Sequence, residues 1–414
     1  MDSKKRLLFI GYNFSPEPTG IGKYSGEMID WLANKGYDCM VLTAYPYYPY
    51  WKVQEPYYKK RFWYHKEVTN YNSGGRITVC RCPMYVPSTP SGKKRMLLDV
   101  SFMISAFARL FVLLFQKKYA TVITVVPSFQ FGLLGYFYKV FKKSKTIYHI
   151  QDLQIEAAQD LKMISSKKIL AILFKVEQFI FRKTDVISSI SESMVAKIKD
   201  KANKPVVLFP NWSDTKFFTP LDDKASLKKT FGFLPADQVV LYSGAIGEKQ
   251  GLEAIIYAAE TFRDKTDVKF IICGTGPYKS KLEALAKSLS LQNVVFFPLQ
   301  PMEKFNAFLN MADVHLVIQK AKASDLVMPS KLTTILSVGG LALITANNDS
   351  GLYALVNKYD MGILVDAEKQ EALNGGIQDA LTSNKRLIIM KNARLYAKDY
   401  LEVNNIMNTF EQVL

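Results

Sequence analysis

The sequence predicts two successive α/β domains, each a doubly wound parallel sheet covered by helices. Three observations carry this. The chain has 414 residues, more than one ordinary core organises, so about 200 residues per domain is the natural division. Apolar strands alternate with amphipathic helices through the first half, as parallel sheets require. After an aromatic, proline-containing break, the same alternation restarts.

In the first half, Arg6–Gly11 reads as a buried strand. Lys23–Lys35 reads as a helix with Tyr24, Met28, Ile29, Trp31 and Leu32 largely on one face. Val41–Thr43, Val122–Val125, Thr146–His149 and Val186–Ser189 read as further strands. The stretch Pro205–Pro220, with Phe209-Pro-Asn-Trp-Ser-Asp214, interrupts the rhythm and reads as the connection. The first domain is therefore drawn over 1–205. Strands at Val239–Ser243, Val268–Cys273, Val294–Phe297, Val314–Ile318 and Leu341–Thr345 build the second, over 206–385. The last segment, 386–414, reads as helical and as returning to the first domain. Ligands of such sheets bind at strand carboxyl ends, so the expected site is a cleft between two facing domains.

The net charge of +17, from 54 basic against 37 acidic residues, calls for an anionic partner. Without zinc-finger spacing or an Arg-rich arm, nucleic acid is set aside in favour of a phosphate-bearing ligand or an anionic membrane. Cys39, Cys80, Cys82 and Cys273 form no zinc-type pairs, and His65, His149 and His315 are too dispersed for a helical metal pair. No metal is expected. The chain opens Met-Asp-Ser-Lys-Lys-Arg and runs straight into a strand, so a cytoplasmic protein with reduced thiols and no signal peptide is expected.

Two apolar stretches are not read as membrane spans. Asp99 and Arg109 interrupt Leu97–Gln116, and Pro127, Ser128, Gln130 and Gly132 turn Tyr119–Tyr138 into strand, turn and helix. Lys93, Lys94 and Arg95 precede the first stretch, and Lys117 and Lys118 follow it. That pattern fits a helix lying on anionic lipid, and equally a core-facing helix with solvated ends. The run Tyr45-Pro-Tyr-Tyr-Pro-Tyr-Trp51 supplies faces that stack on sugars or sit at a lipid interface.

Four loops follow strands or open helices: Pro18-Thr-Gly20-Ile-Gly22-Lys23, Ser243-Gly244-Ala-Ile-Gly247-Glu-Lys249-Gln-Gly251, Cys273-Gly274-Thr-Gly276-Pro277 and Val327-Met-Pro329-Ser330-Lys331-Leu332. Glycine admits close backbone approach, and a helix start directs free N–H groups at anions. Each alone is equally a tight turn; three in the second domain favour a nucleotide site there. His149 closes an apolar strand with Asp152 just beyond, at the edge where a cleft would lie.

In this order the loops resemble the family 4 glycosyltransferases of the GT-B fold, two Rossmann-like domains. The likeness is to the bacterial capsule and exopolysaccharide branch that holds the colanic-acid fucosyl- and fucosaminyltransferases. Its most specific stretches are Asn13–Glu27, Tyr148–Asp152, Phe209–Ser213, Ser243–Leu252 and Pro329–Leu332. The resemblance implies retaining transfer without a divalent metal. A UDP- or GDP-linked sugar would sit in the second domain and a saccharide acceptor on the first; the aromatic run and the basic, apolar 93–118 region point to a lipid-linked one. Gly20 and Gly22 match the acceptor-side loop beside the donor phosphates; His149 matches the residue near the transferred sugar. Gly244, Gly247, Gly274 and Gly276 match nucleotide-side turns.

Two positions depart from the pattern. The Arg and Lys that usually grip the diphosphate are replaced by Ala245 and Gln250. The usual glutamate pair is absent, its places falling at Thr334 and near Leu326, beside Asp325. Lys331, helped by Ser330 and more weakly by Lys249, is the expected source of leaving-group charge. Asp152, Glu17 and, less so, Glu156 are candidates for orienting the acceptor. A sugar-nucleotide epimerase of this fold, or a non-catalytic nucleotide-sugar-binding subunit, is the rival reading. The expected location is the cytoplasm, peripheral on the plasma membrane.

Overall fold

The computed structural model describes residues 5–18, 20–160, 166–320 and 329–414, without the side chains of 157, 158, 160 and 249. Its chain divides into two compact units, Met1–Pro210 with Met407–Leu414, and Asn211–Ile406.

Unit 1 runs β1 (Arg6–Ile10), α1 (Gly20–Asn34), β2 (Asp38–Ala44), β3 (His65–Asn70), β4 (Arg76–Cys82), α2 (Gly92–Leu113), β5 (Thr121–Val126), α3 (Phe131–Lys142), β6 (Lys145–Ile150), α4 (Gln154–Asp160), α5 (Lys167–Lys183), β7 (Val186–Ser189), α6 (Glu192–Ala202) and β8 (Val206–Leu208). Its sheet has the order β3-β4-β2-β1-β5-β6-β7-β8. Every pairing is parallel except β3 with β4. The inner strands are buried on both faces, Leu8, Phe9, Val122 and Ile147 all being inaccessible, which is why they read as continuous apolar runs. The winding reverses between β1 and β5, so the ligand crevice of this unit lies at their carboxyl ends.

Unit 2 runs α7 (Lys224–Thr230), β9 (Gln238–Ser243), α8 (Glu253–Thr261), β10 (Val268–Cys273), α9 (Lys279–Ser288), β11 (Val294–Phe297), α10 (Met302–Asn310), β12 (Val314–Val317), α11 (Ser330–Ser337), β13 (Ala342–Thr345), α12 (Gly351–Tyr359), β14 (Ile363–Val365), α13 (Gln370–Thr382) and α14 (Arg386–Tyr400). The sheet is parallel throughout, in the order β11-β10-β9-β12-β13-β14. Here the winding reverses between β9 and β12. A last helix, α15 (Val403–Glu411), carries the chain from unit 2 into unit 1.

The boundary expected at 205 lies at 210, because β8 extends the first sheet through Ile187↔Val206 and Ser189↔Leu208. The returning segment is also shorter than 386–414. Helix α14 belongs to unit 2, where Ala393 and Ala397 are buried against Leu336 and Arg394 donates to the Phe218 and Thr215 carbonyls. Only 407–414 joins unit 1. Phe410 stacks on Phe209 at 3.7 Å, Tyr37 donates to Glu411 at 3.0 Å, and Thr121 donates to the Leu414 carbonyl.

The charged-flanked apolar stretch is α2, buried on one face and exposed on the other. Leu98, Phe102, Ala106, Leu110 and Leu113 recur at helical spacing and enter the core. Met96, Leu97, Val100, Ile104, Phe107, Phe111 and Val112 stand exposed on the other side. The helix is long and apolar enough to cross a membrane by length and composition, but a third of that apolar window is buried in unit 1. The second stretch is strand, turn and helix, β5 and α3, as read from its breakers.

Candidate active site

In unit 2 the loops after β9 and β10 continue the strand pairing beyond Ser243 and Cys273. Gly244 N–H donates to the Cys273 carbonyl and Ile246 N–H to the Thr275 carbonyl, both at 2.9 Å. A β-carbon on Gly274 would overlap the Gly244 carbonyl oxygen, and one on Gly276 the Ile246 carbonyl oxygen. Both glycines are therefore demanded by loop-on-loop contact. Their positive φ angles, +155° and +157°, add a second reason. The Gly244 and Ile246 N–H groups are thus used within the protein.

Gly247 caps a 3-10 turn over Glu248–Gln250. Gln250, standing where the family pattern has its lysine, lies over Gly247, and its buried Oε1 has no hydrogen-bond partner among the described residues. With Gln319, Lys320, Thr345 and Lys369 it lines a cavity of ≈ 200 Å³. The Lys249 side chain, Asp325, Leu326, Val327 and Met328 lie outside the described residues.

Lys331 is placed at the switch point of this unit. Pro329, in extended conformation, precedes α11, leaving Ser330 exposed as its first residue and turning Lys331 back toward β9. The Lys331 ammonium lies 3.7 Å from the centroid of the Tyr242 ring. A β-carbon on Gly244 would stand only 3.0 Å from Nζ, so glycine there leaves room for the amine. The Tyr242 hydroxyl donates to the Ala245 carbonyl at 2.7 Å, fixing the ring. Burial pulls the Lys331 pKa down to about 7, because the charged form is desolvated faster than one aromatic face compensates. Among the described residues no carboxylate pairs with it. Thr334 follows three residues on, half-buried. A nearly buried amine without a counter-ion is completed by an anionic ligand.

Unit 1 disposes its expected residues differently. Glu17 is only 4% exposed. Its Oε2 accepts from Asn13 at 2.9 Å and its Oε1 from the backbone N–H groups of Tyr47 and Tyr48 at 3.2 and 3.1 Å. It thus clamps the aromatic loop after β2, and a β-carbon on Gly22 would overlap its carboxylate. Desolvation outweighs those hydrogen bonds and lifts its pKa to about 7. Gly20 opens α1 at φ +62°. The run Tyr45–Trp51 is half core: Tyr45 and Tyr47 are buried, and Tyr47 packs edge-on to Trp51 at 5.6 Å.

His149 is 2% exposed, with Nδ1 3.0 Å from the Ser188 hydroxyl and its ring edge-on to Phe209 at 5.1 Å. Burial drives its pKa down to about 3, so the imidazole is neutral at physiological pH and inside the sheet layer. Asp152 is half-buried in the loop after β6 and bears electrostatically on Tyr12. Glu156 is an ion-pair partner of Lys201, which also holds Glu177 at 2.9 Å, and so is structural. Asp99, seen in the sequence only as a break in an apolar helix, sits at the crevice: Gln154 Nε2 donates to it at 3.4 Å.

Over nearly its whole length the chain is similar to known proteins. Residues 223–396 match the family model described as glycosyl transferases group 1. The chain is 39% identical, over 98% of both chains, to WcaI of Escherichia coli K12, assigned as a colanic acid biosynthesis glycosyl transferase. Among solved structures it resembles sucrose-phosphate synthase from Thermosynechococcus elongatus, with a TM-score of 0.76 at 16% identity over 99% of this chain and 98% of that one. It also resembles WaaG, a glycosyltransferase of lipopolysaccharide biosynthesis, with a TM-score of 0.67 at 15% identity over 98% and 99%. Anabaena HepE in complex with UDP and glucose gives a TM-score of 0.70 at 13% identity over 99% and 98%. With its two Rossmann-like units, the chain belongs to the group 1 glycosyltransferases of the GT-B fold.

Proposed function

We propose that this chain moves a sugar from a UDP- or GDP-linked donor, bound by unit 2, to a lipid-linked saccharide, bound by unit 1, with retention at the anomeric carbon and during exopolysaccharide assembly. The observation that carries the donor reading is Lys331, an amine at the carboxyl end of β9 that has no counter-ion among the described residues. A leaving nucleoside diphosphate develops charge that a fixed cation and helix start stabilise, and a diphosphate would keep this amine protonated. No divalent metal is invoked in this scheme. The role of WcaI in colanic acid biosynthesis supports the pathway class. The UDP and glucose complex of HepE supports a nucleotide-sugar donor for this fold.

The acceptor reading rests on the outer face of α2. Its exposed Ile104, Phe107 and Phe111 stand with exposed Phe115, which touches Phe111, and Phe141, which reaches Phe107 through Phe137. Lys93, Lys94 and Arg95 at the helix start and Lys117 and Lys118 beyond it are exposed. An apolar face rimmed by bases suits a bilayer with anionic headgroups, where lipid-linked saccharides reside; this chain would work there peripherally, on the cytoplasmic side.

The test incubates the full chain with radiolabelled UDP-glucose, UDP-galactose, GDP-mannose or GDP-fucose and octyl glycosides as acceptor mimics. Transfer of label to a glycoside from one donor, abolished by Lys331→Ala, is expected. Isomerised donor formed without acceptor would make the chain an epimerase, and undiminished turnover in Lys331→Ala would remove the lysine from the mechanism.

A further inference from the structure

The cavity of ≈ 200 Å³ in unit 2 has no occupant in the donor reading above. It lies beyond the carboxyl ends of β12 and β13, where Ile318 and Gln319 follow one strand and Thr345 ends the other. Gln250 closes it from the loop after β9, and Ala254 and Leu373 from the first turns of α8 and α13. The loop after β9 therefore serves two places. Gly244, at its start, leaves room for the Lys331 amine, and Gln250, near its end, lines the cavity.

The walls are fixed by bonds within the protein. The Gln319 N–H donates to the Thr345 hydroxyl at 2.8 Å, and that hydroxyl donates to the Gln319 carbonyl at 3.0 Å. Gln370 Nε2 donates to the Ala254 carbonyl at 3.0 Å, tying α13 to α8. The side chains of Gln250 and Gln319 are not so used. The Oε1 of each is shielded from solvent and has no hydrogen-bond partner among the described residues. An unpaired buried oxygen is costly. The last torsion of glutamine is broad and roughly two-fold, so each amide can turn to present either its oxygen or its nitrogen to an occupant.

Size and chemistry bound that occupant. A cavity of about 150 Å³ holds a benzene ring, so this one holds a single substituted six-membered ring and not a whole nucleotide. Ile318 and Leu373 give it an apolar side, and Thr345 and the two amides a polar one. A pyranose has the same division, between its C–H faces and its hydroxyl edge. A hydroxyl both donates and accepts, so it meets an amide in either setting. A nucleobase calls for an aromatic face to stack on, and among the described residues the lining has none. Lys320 and Lys369 line the cavity together with Glu368, and this mixture of signs suits a neutral ring better than a phosphate.

We propose that this cavity receives the sugar ring of the donor, and that Gln250 and Gln319 read its hydroxyls and so decide which nucleotide sugar the chain accepts. The assignment rests on the glycosyltransferase reading above and deepens its donor half. Lys331 holds the diphosphate, and the ring bonded to that diphosphate enters the cavity. No bond forms or breaks at the two amides; they position the ring and discriminate between sugars whose hydroxyls differ in direction. A site built to bond one hydroxyl leaves its own polar groups unpaired when that hydroxyl points elsewhere.

The experiment titrates the full chain calorimetrically with UDP, GDP, UDP-glucose, UDP-galactose, GDP-mannose and GDP-fucose. The parent chain is expected to prefer one sugar over the other on the same nucleotide. Gln250→Ala and Gln319→Ala should each weaken the preferred nucleotide sugar by about tenfold and narrow its margin over the other. Ala254→Leu, which fills the cavity, should weaken it by about 100-fold. In all three variants the free nucleotide should bind within about twofold of the parent value, which also shows that the fold is intact. Binding of the nucleotide sugar by Ala254→Leu within about threefold of the parent overturns the assignment, since ring and leucine cannot share the space. Equal loss of nucleotide and nucleotide sugar overturns it too, marking the cavity as mere support for the loop after β9. A parent chain that binds UDP or GDP but does not distinguish the sugars on it overturns the assignment alone. One that binds none of the six overturns the functional reading itself, and the assignment with it.

Discussion

If Lys331 meets the donor diphosphate, nucleotide binding must be coupled to a proton. The free amine titrates at about 7, whereas one that touches a diphosphate returns toward the ordinary lysine range. At pH 8 about nine in ten of the free molecules carry a neutral amine, so binding should take up about 0.9 proton; at pH 7 the figure is about 0.5. Affinity should fall by about fivefold from pH 7 to 8 and by about tenfold per unit above that, until the pH reaches the lysine range of the bound amine. The ligand does not confuse the measurement, because a phosphate with a second pKa near 6 is fully ionised at pH 8. Calorimetric titration of UDP and GDP in Tris and in HEPES, whose ionisation enthalpies differ, reads the proton count as a slope. Lys331→Met should bind more weakly with zero slope. Lys331→Arg should recover part of the affinity, also with zero slope, since a guanidinium never discharges. Buffer-independent heats in the parent chain, or uptake that persists in Lys331→Met, would refute the placement of this amine at the phosphates.

Three further outcomes follow from the geometry. The pKa of Glu17 rises from 4.5 to about 7 on folding. The native state therefore holds a proton that the unfolded chain releases, and stability contributed by this site should grow by about 3 kcal/mol as pH falls from 8 to 5; Glu17→Gln should remove that dependence in urea unfolding at the two pH values. A methyl at Gly276 drives into the Ile246 carbonyl, so Gly276→Ala should cost about 2–4 kcal/mol and reduce the Tm gain from UDP or GDP; an unchanged urea midpoint would contradict the loop contact. Ile104 and Phe111 are 67% and 50% exposed, so Ile104→Glu with Phe111→Glu should leave Tm unaltered yet reduce co-sedimentation with phosphatidylglycerol vesicles by about tenfold. Undiminished binding would take the lipid away from this face.

Most strands were legible because burial on both faces leaves no alternative to a continuous apolar run, as in Val268–Cys273, which matches β10 at both ends. Those that escaped are mostly edges or short; the exception is Arg76–Cys82, an inner, buried strand whose apolar run Arg81 interrupts. His65–Asn70 is mostly exposed and polar, paired antiparallel on one side only, while Val206–Leu208 and Ile363–Val365 are three residues each. At the site, Lys331 was readable from its place after Pro329 at a helix start. The meaning of Gly274 and Gly276 was not, because a glycine that faces a ligand and one that faces another loop look identical in sequence. Glu17 was readable as an acid but not as a clamp, since its partners Tyr47 and Tyr48 lie some thirty residues away. Asp99 was readable only as a break in an apolar helix, because its partners Tyr12 and Gln154 lie far away in sequence.

The ladder joining the loops after β9 and β10 has a consequence for how donor preference can change in this family. Ser243–Ile246 and Cys273–Gly276 share hydrogen bonds and leave no space for a side chain between them, so neither can be remodelled alone. A substitution that lengthens or stiffens one turn displaces the carbonyl that the other rests on, and Lys331, which rests on Gly244, moves with both. Drift toward a new nucleotide sugar would then proceed by paired replacements across the two turns. Grafting only one of them from a relative should yield a folded but donor-blind protein, whereas the two transplanted together carry their preference with them.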